Sequence, residues 1–354
     1  MTALERLKKI DPDLLIRPCG AGNLLVSNTL QGRIMAEIGG KLIHRFDADL
    51  AEHPDPENFN NLGGNSLWPA PEGGDFAFNY PPKGGWYVQK GINSVKSTLL
   101  EEGQGSLLIG KEFELLNRRG KTVKVTWRRK INTDKAPLLS TLLCMWTFPS
   151  RPGVNLLMYR SEDTLELAEP AELDDVLISA WSLEQLPGAA GITAFGRCEL
   201  CVEDAINTDF YGDPMPRITF EDRWFKFALG GPCRLQIGFS SAEKPELIGS
   251  FDPARGVAVL RTAFCQPGGR YINFADNDQK NGPFSAADQY SIFNGSEELD
   301  FHELETLAPM TLDSQGRCTG SSLESETLIL RGSPRRVAEI LQTSFAVPAG
   351  FLSI

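Results

Sequence analysis

Histidine is scarce in this chain: three occur among 354 residues, at positions 44, 53 and 302, and none lies in the central third. A site built on several neighbouring imidazoles is therefore not indicated. Long apolar runs are also missing. The opening MTALERLKKIDPDLLIRP holds no run long enough for a signal-peptide core or a bilayer span, and no later stretch approaches that length. Positive charge is in deficit, with 35 Lys and Arg against 46 Asp and Glu and a formal net charge of −11. Nucleic acids and anionic membrane surfaces draw binding energy from cationic contacts, so neither is expected as a partner. A neutral small molecule is compatible. The sequence has no GxGxxG, no P-loop and no GxSxG elbow, which leaves nucleotide-dependent and α/β-hydrolase chemistry without support. Seven cysteines, an odd number spread widely, are read as reduced thiols of a cytoplasmic protein. Cys198 and Cys201 have metal-ligand spacing, but a structural zinc needs a second pair, so no metal is expected.

What is present is turn chemistry and alternation. The 34 glycines and 23 prolines are scattered rather than periodic, and 354 residues suffice for one large β unit. Phe113 and Leu115, then Val123, Val125 and Trp127, alternate with charged or hydroxyl residues on both sides of a turn ending at Gly120. That period of two predicts a hairpin with one buried face. Further strands are predicted at Leu14–Arg17, Leu24–Ser27, Arg33–Ile38, Ser106–Ile109, Leu142–Thr147, Asn155–Tyr159, Val176–Trp181, Gly191–Arg197, Trp224–Ala228, Arg234–Phe239, Glu246–Phe251, Val257–Phe264 and Leu323–Leu330. Helices are predicted only at the ends. One spans about residues 2–10, with Thr2 and Glu5 at capping-box spacing; the other spans about 333–343, with Ser333 as cap and Pro334 at the first helical position. Strands without intervening helices indicate antiparallel sheets. The expectation is a mainly β, single-domain sandwich over residues 1–354, a monomer or weak homodimer. Residues 50–90 and 268–300 read as long loops, a length more often functional than idle.

Two stretches carry candidate chemistry. Leu62 to Asp75 reads LGGNSLWPAPEGGD: paired glycines for close backbone approach, Trp68 with a flat apolar face, and Glu72 on a rigid turn. A sugar ring has an apolar C–H face and a rim of hydroxyls, so aromatic, carboxylate and amide groups such as Asn65 are a suitable lining. The plain alternative is a surface loop with Trp68 plugging the core. Leu299 to Pro309 reads LDFHELETLAP. In a strand, Glu303 and Glu305 share one face, while His302, Leu304 and Thr306 share the other. Paired carboxylates repel, which raises one pKa when they are partly buried and suits acid–base work. The plain alternative is an exposed edge strand.

GGNSLWPAPEGG followed far downstream by HELETLAP resembles the galactose mutarotase-like superfamily of aldose 1-epimerases, loosely over residues 20–331. The resemblance implies a β-supersandwich of two large antiparallel sheets with a sugar site on a concave face. It also implies anomer interconversion by general acid–base ring opening, without metal or organic cofactor. Leu304–Glu305–Thr306 matches the context of the family's base, which makes Glu305 the candidate and Glu303 a substitute. No histidine matches the family's acid, so Glu72, Asp209 or Tyr211 stands in its place, or the site binds sugar without turning it over. A hydrolase or lyase using Glu72 and Glu305 is a third reading. Arg234, Asp209 and Tyr211 of Asn207–Asp213, Tyr271 of Arg270–Asp276, and Trp86 with Lys83 at the rim complete the candidate sugar contacts.

Overall fold

The computed structural model describes residues 1–80, 82–83, 85–133, 153–188, 190–264, 266, 268–274, 284–285 and 287–352. The expected strand at Leu142–Thr147 and the loop residue Asp276 lie outside them. The architecture is mainly antiparallel β, in two large sheets of ten and eleven strands among the described residues. Six strands of the first sheet build the site: β1 (Arg33–Ile38), β2 (Gly64–Ala70), β3 (Ser179–Pro187), β4 (Leu235–Ser240), β5 (Asp288–Asn294) and β6 (Phe301–Leu307). Their order across the sheet is β1-β2-β3-β6-β5-β4. The second sheet centres on two long strands, Val154–Ala171 and Cys318–Gly332, paired from Gly332↔Val154 to Cys318↔Ala171.

The predicted hairpin is two eleven-residue strands, Ser106–Leu116 and Thr122–Asn132, with Phe113, Leu115, Val125 and Trp127 buried. Alternation places this set on the face turned to the first sheet, where the largest apolar cluster lies. The outer face of the second sheet is covered by the C-terminal helix Pro334–Phe345, whose Val337, Leu341 and Phe345 pack on Leu260, Leu328 and Leu330. Ser333 stands at its N-cap but gives no side-chain cap bond; its backbone carbonyl accepts from Arg336 and Val337 instead. At the other end, Thr2 and Glu5 form the full capping box of Ala3–Ile10, with Glu5 N–H donating to Thr2 Oγ1 at 3.2 Å.

Two expectations are corrected. Helices are not confined to the ends, since four- and five-residue helices occur at Ala48–Glu52, Lys90–Asn93, Val202–Ala205 and Ser296–Leu299. The stretches read as loops contain β2 and β5, both inside the first sheet. β2 carries Gly64, Asn65 and Pro69, which composition alone assigns to a turn. Its ladder with β3 nevertheless runs unbroken from Gly64↔Gln185 to Ala70↔Ser179.

Candidate functional site

Register and pleat assemble the site. Across the first sheet Ser66, Leu183, Glu305 and Ser291 stand opposite one another in a row; the next row holds Gln185, Glu303, Phe293 and Gln236. Side chains alternate faces along a strand, so one face of each strand looks away from the second sheet. There a cleft of about 390 Å³ opens, lined by Trp68, Trp181, Glu72, Glu303, Glu305, Arg33 and Arg234 among others. Trp68 and Glu305, 237 positions apart by subtraction of their numbers, share this one hollow.

Its walls are aromatic. Trp68 meets Phe59 and Trp181 edge-on at centroid distances of 5.2 and 6.1 Å, and Phe59 meets Trp86 at 5.8 Å. Phe293 contacts Phe301 at 5.6 Å and Tyr211 at 6.1 Å on the other side. Edge-to-face rings hold one another in place and keep flat apolar surface available to a ligand.

Carboxyl groups lie between the walls. Glu305 is buried at 1% exposure, and Trp181 Nε1–H donates to its Oε2 at 3.0 Å. Burial, then the charges of Glu303 and Glu72, push its pKa well above the usual carboxylate range against the hydrogen bonds of Trp181 and Ser291. Glu303 is half-buried and accepts from Gln185 Nε2 at 2.8 Å; Gln185 Oε1 in turn accepts from Arg45 Nη1 at 2.9 Å. Burial raises the Glu303 pKa too, opposed by that hydrogen bond and by Arg45, Arg33 and Arg234. Glu72 Oε1 accepts from Asn79 Nδ2 at 3.1 Å and Trp86 Nε1 at 3.4 Å.

Of the residues singled out from sequence, the cleft lining includes Trp68, Glu72, Trp86, Tyr211, Arg234, Glu303 and Glu305. Arg234 stands just before β4 rather than within it, its guanidinium 4.5 Å from the Tyr211 ring and 5.3 Å from that of Phe293. Three candidates lie elsewhere. Asn65 is one residue out of phase with Ser66 and Trp68, so it points between the sheets, where it binds Arg129 and Glu184. Asp209 is exposed in a turn, its N–H donating to Asn207 Oδ1 at 3.0 Å. Tyr271 is buried with its hydroxyl accepting from Gln266 N–H at 3.1 Å. The paired glycines serve the fold: a Cβ on Gly63, at φ +85°, would sit 2.1 Å from the Arg45 carbonyl oxygen. Sequence reasoning missed Arg33, Phe59, Trp181, Gln185, Phe293 and Phe301. Trp181 closed a predicted strand, yet nothing local tells which carboxylate faces it.

None of the three histidines lines the cleft. His302 is buried on the opposite face, with Nδ1–H donating to Gly188 O at 2.8 Å and Nε2 accepting from Ser250 Oγ at 3.0 Å. Burial pulls its pKa down to about 4. His44 Nδ1 accepts from Ala36 N–H at 2.9 Å, so its Nε2–H donates to Glu184 Oε1 at 2.6 Å. His53 is exposed on the helix end at Ala48–Glu52. Cys198 ends a strand, buried, and Cys201 caps a short helix, exposed. Among the described residues no group of three His, Cys, Asp or Glu side chains is arranged to hold a metal, and no helix is long and apolar enough to cross a membrane.

A family model matches residues 2–349, and the chain belongs to that family, described as a family of unknown function (DUF6786). No curated protein matches it by sequence. Among solved structures it is similar to a galactose mutarotase-like protein from Lactobacillus casei, with 9% identity, a TM-score of 0.47, and coverage of 90% of this chain and 98% of that one. It is also similar to a protein from Synechocystis (12% identity, TM-score 0.48, 90% and 95% covered). A third similar structure is a galactose mutarotase related enzyme from Lactobacillus acidophilus (7% identity, TM-score 0.43, 90% and 97% covered).

Proposed function

We propose that this member of the DUF6786 family binds a sugar in the aromatic cleft and interconverts its anomers by proton transfer between carboxyl groups. The observation that supports this most is the shared cleft of Trp68, Trp181 and Glu305. An indole face covers the C–H side of a pyranose, while carboxyl, amide and guanidinium groups answer its hydroxyls. Opening the ring needs an acid at the ring oxygen and a base at the anomeric hydroxyl, and closing it reverses both transfers.

The family resemblance makes Glu305 the base. Its environment favours the reverse assignment, since burial beside Glu303 favours the protonated carboxyl, which starts as the acid. Glu72, whose carboxylate accepts from Asn79 and Trp86, is the partner base. Glu305 gives its proton to the ring oxygen as Glu72 takes the one on the anomeric hydroxyl. The C1–O5 bond breaks, the aldehyde rotates, and the protons return as the ring closes on the other face.

Polarimetry on freshly dissolved glucose, galactose and a wider sugar panel tests the reading. Accelerated mutarotation lost in Glu305→Gln supports it. The missing cleft histidine favours a second reading, a carbohydrate-binding protein without turnover. That reading prevails when no sugar is turned over yet one raises the melting temperature.

A further inference from the structure

We propose that the cleft prefers a sugar carrying a single carboxylate, a hexuronic acid, held by Arg33 and Arg234. The inference rests on the sugar reading above and names its substrate class. Arg33 lines the cleft yet is only 5% exposed. Its Nη1 donates to Gly63 O at 2.6 Å and its Nε to Gln31 Oε1 at 3.4 Å, both neutral acceptors. No carboxylate forms an ion pair with it among the described residues, Glu303 acting on it only through space, and burying a cation without a directly paired counter-charge is costly. Its neighbours are treated differently: Arg45 has Asp47 at 3.3 Å, Arg129 has Asp163 at 2.8 Å and Arg261 has Glu184 at 3.6 Å.

Arg234 also lacks an ion pair among the described residues. Its guanidinium lies over the rings of Tyr211 and Phe293, a stacking that fixes the plane and leaves in-plane N–H groups for a carboxylate fork. Glu303 acts electrostatically on both cations without forming an ion pair with either among the described residues. Burial disfavours the charged forms of Glu303 and Glu305, while Arg45, Arg33 and Arg234 pull the Glu303 pKa back down. A ligand carboxylate gives the two guanidinium groups the ion-pair partner that neither has among the described residues. A phosphate, with up to two charges near neutral pH, brings more negative charge into a cleft that Glu72, Glu303 and Glu305 also line.

The test is calorimetric titration of the full chain with D-glucuronate and D-galacturonate, against glucose, galactose and glucose 6-phosphate. A uronate is expected to bind about ten- to a hundredfold more tightly than its neutral hexose, the range of charge-assisted hydrogen bonds. That margin should shrink as salt is added. Arg234→Gln, at an exposed position, should collapse the ratio of the two dissociation constants toward one, and Arg33→Gln likewise. Arg33→Lys keeps the charge and retains part of the preference if the site is electrostatic. A neutral hexose binding as tightly as the uronate overturns the inference and leaves the sugar reading standing. Glucose 6-phosphate binding tightest also overturns it. Failure of every sugar to bind overturns both.

Discussion

The two faces of the first sheet use the same strands and the same residue types to opposite ends. On the face toward the second sheet, Glu184 is fully buried and saturated: His44 and Asn65 donate to it, Tyr159 Oη reaches both its oxygens at 3.1 Å, and Arg261 lies 3.6 Å away. Burial alone would push its pKa up, but the contacts of His44, Arg261 and Asn65 outweigh this and hold it down to about 2. On the cleft face, Glu305 is as deeply buried, Trp181 Nε1–H donates to it at 3.0 Å, and its pKa goes up. Burial does not set the sign of a shift; the count of donors and cations around the carboxylate does. One face is built to keep a charge, the other to keep a proton.

The largest test of this contrast removes the saturated carboxylate. Glu184→Gln leaves Arg261 and Arg129 with less counter-charge between the sheets, and should lower the unfolding free energy by about 3–5 kcal/mol in urea titration. The pH dependence follows with a definite sign. A folded pKa of about 2 against an ordinary 4.5 gives stability that is present above pH 4.5 and lost as pH falls toward 2. That loss should disappear in the variant.

Glu305→Gln should act the other way. A raised folded pKa favours the native state at low pH and costs stability as pH rises past the ordinary carboxylate range. The variant should therefore melt higher than the parent near pH 8, the gap closing toward pH 4, while mutarotation falls by about 10²- to 10⁴-fold. Equal melting curves across that range would mean that Glu305 is not held protonated.

A finer test removes one donor. Trp181→Phe takes away the Nε1–H that favours the Glu305 carboxylate, so the alkaline limb of the pH–rate profile should move to higher pH. The stability cost should stay near 1 kcal/mol, the usual net worth of a hydrogen bond. The smallest effect is expected at Asn79→Ala, which removes a donor to Glu72 and should cost rate by about threefold to tenfold.

Much of this contrast was partly legible in the sequence. In Phe301–Leu307 the period of two already assigned Glu303 and Glu305 to one face and His302 to the other, because strand geometry fixes alternation locally. The same rule separates Asn65 from Trp68 in Leu62–Asp75, but Gly64 and Pro69 disguise that strand as a turn. Glu184 and Arg261 gave no signal at all. Each reads as an ordinary charged residue in an apolar strand, and their burial depends on the opposite sheet. Arg33 was equally silent, since its position in the cleft depends on a carbonyl thirty residues downstream.

Taken alone, the chain determined its hairpins, its terminal helices and the side-chain parity of its acidic strand, since these follow from backbone period and local capping. Only the tertiary structure decided which strands become neighbours. That choice sets the Leu183↔Glu305 and Trp181↔Trp68 pairings and, with them, which carboxyl group meets a cation and which meets an indole. Protonation follows from those encounters, because electrostatic free energy in a buried site depends on through-space distance and desolvation rather than on order along the chain.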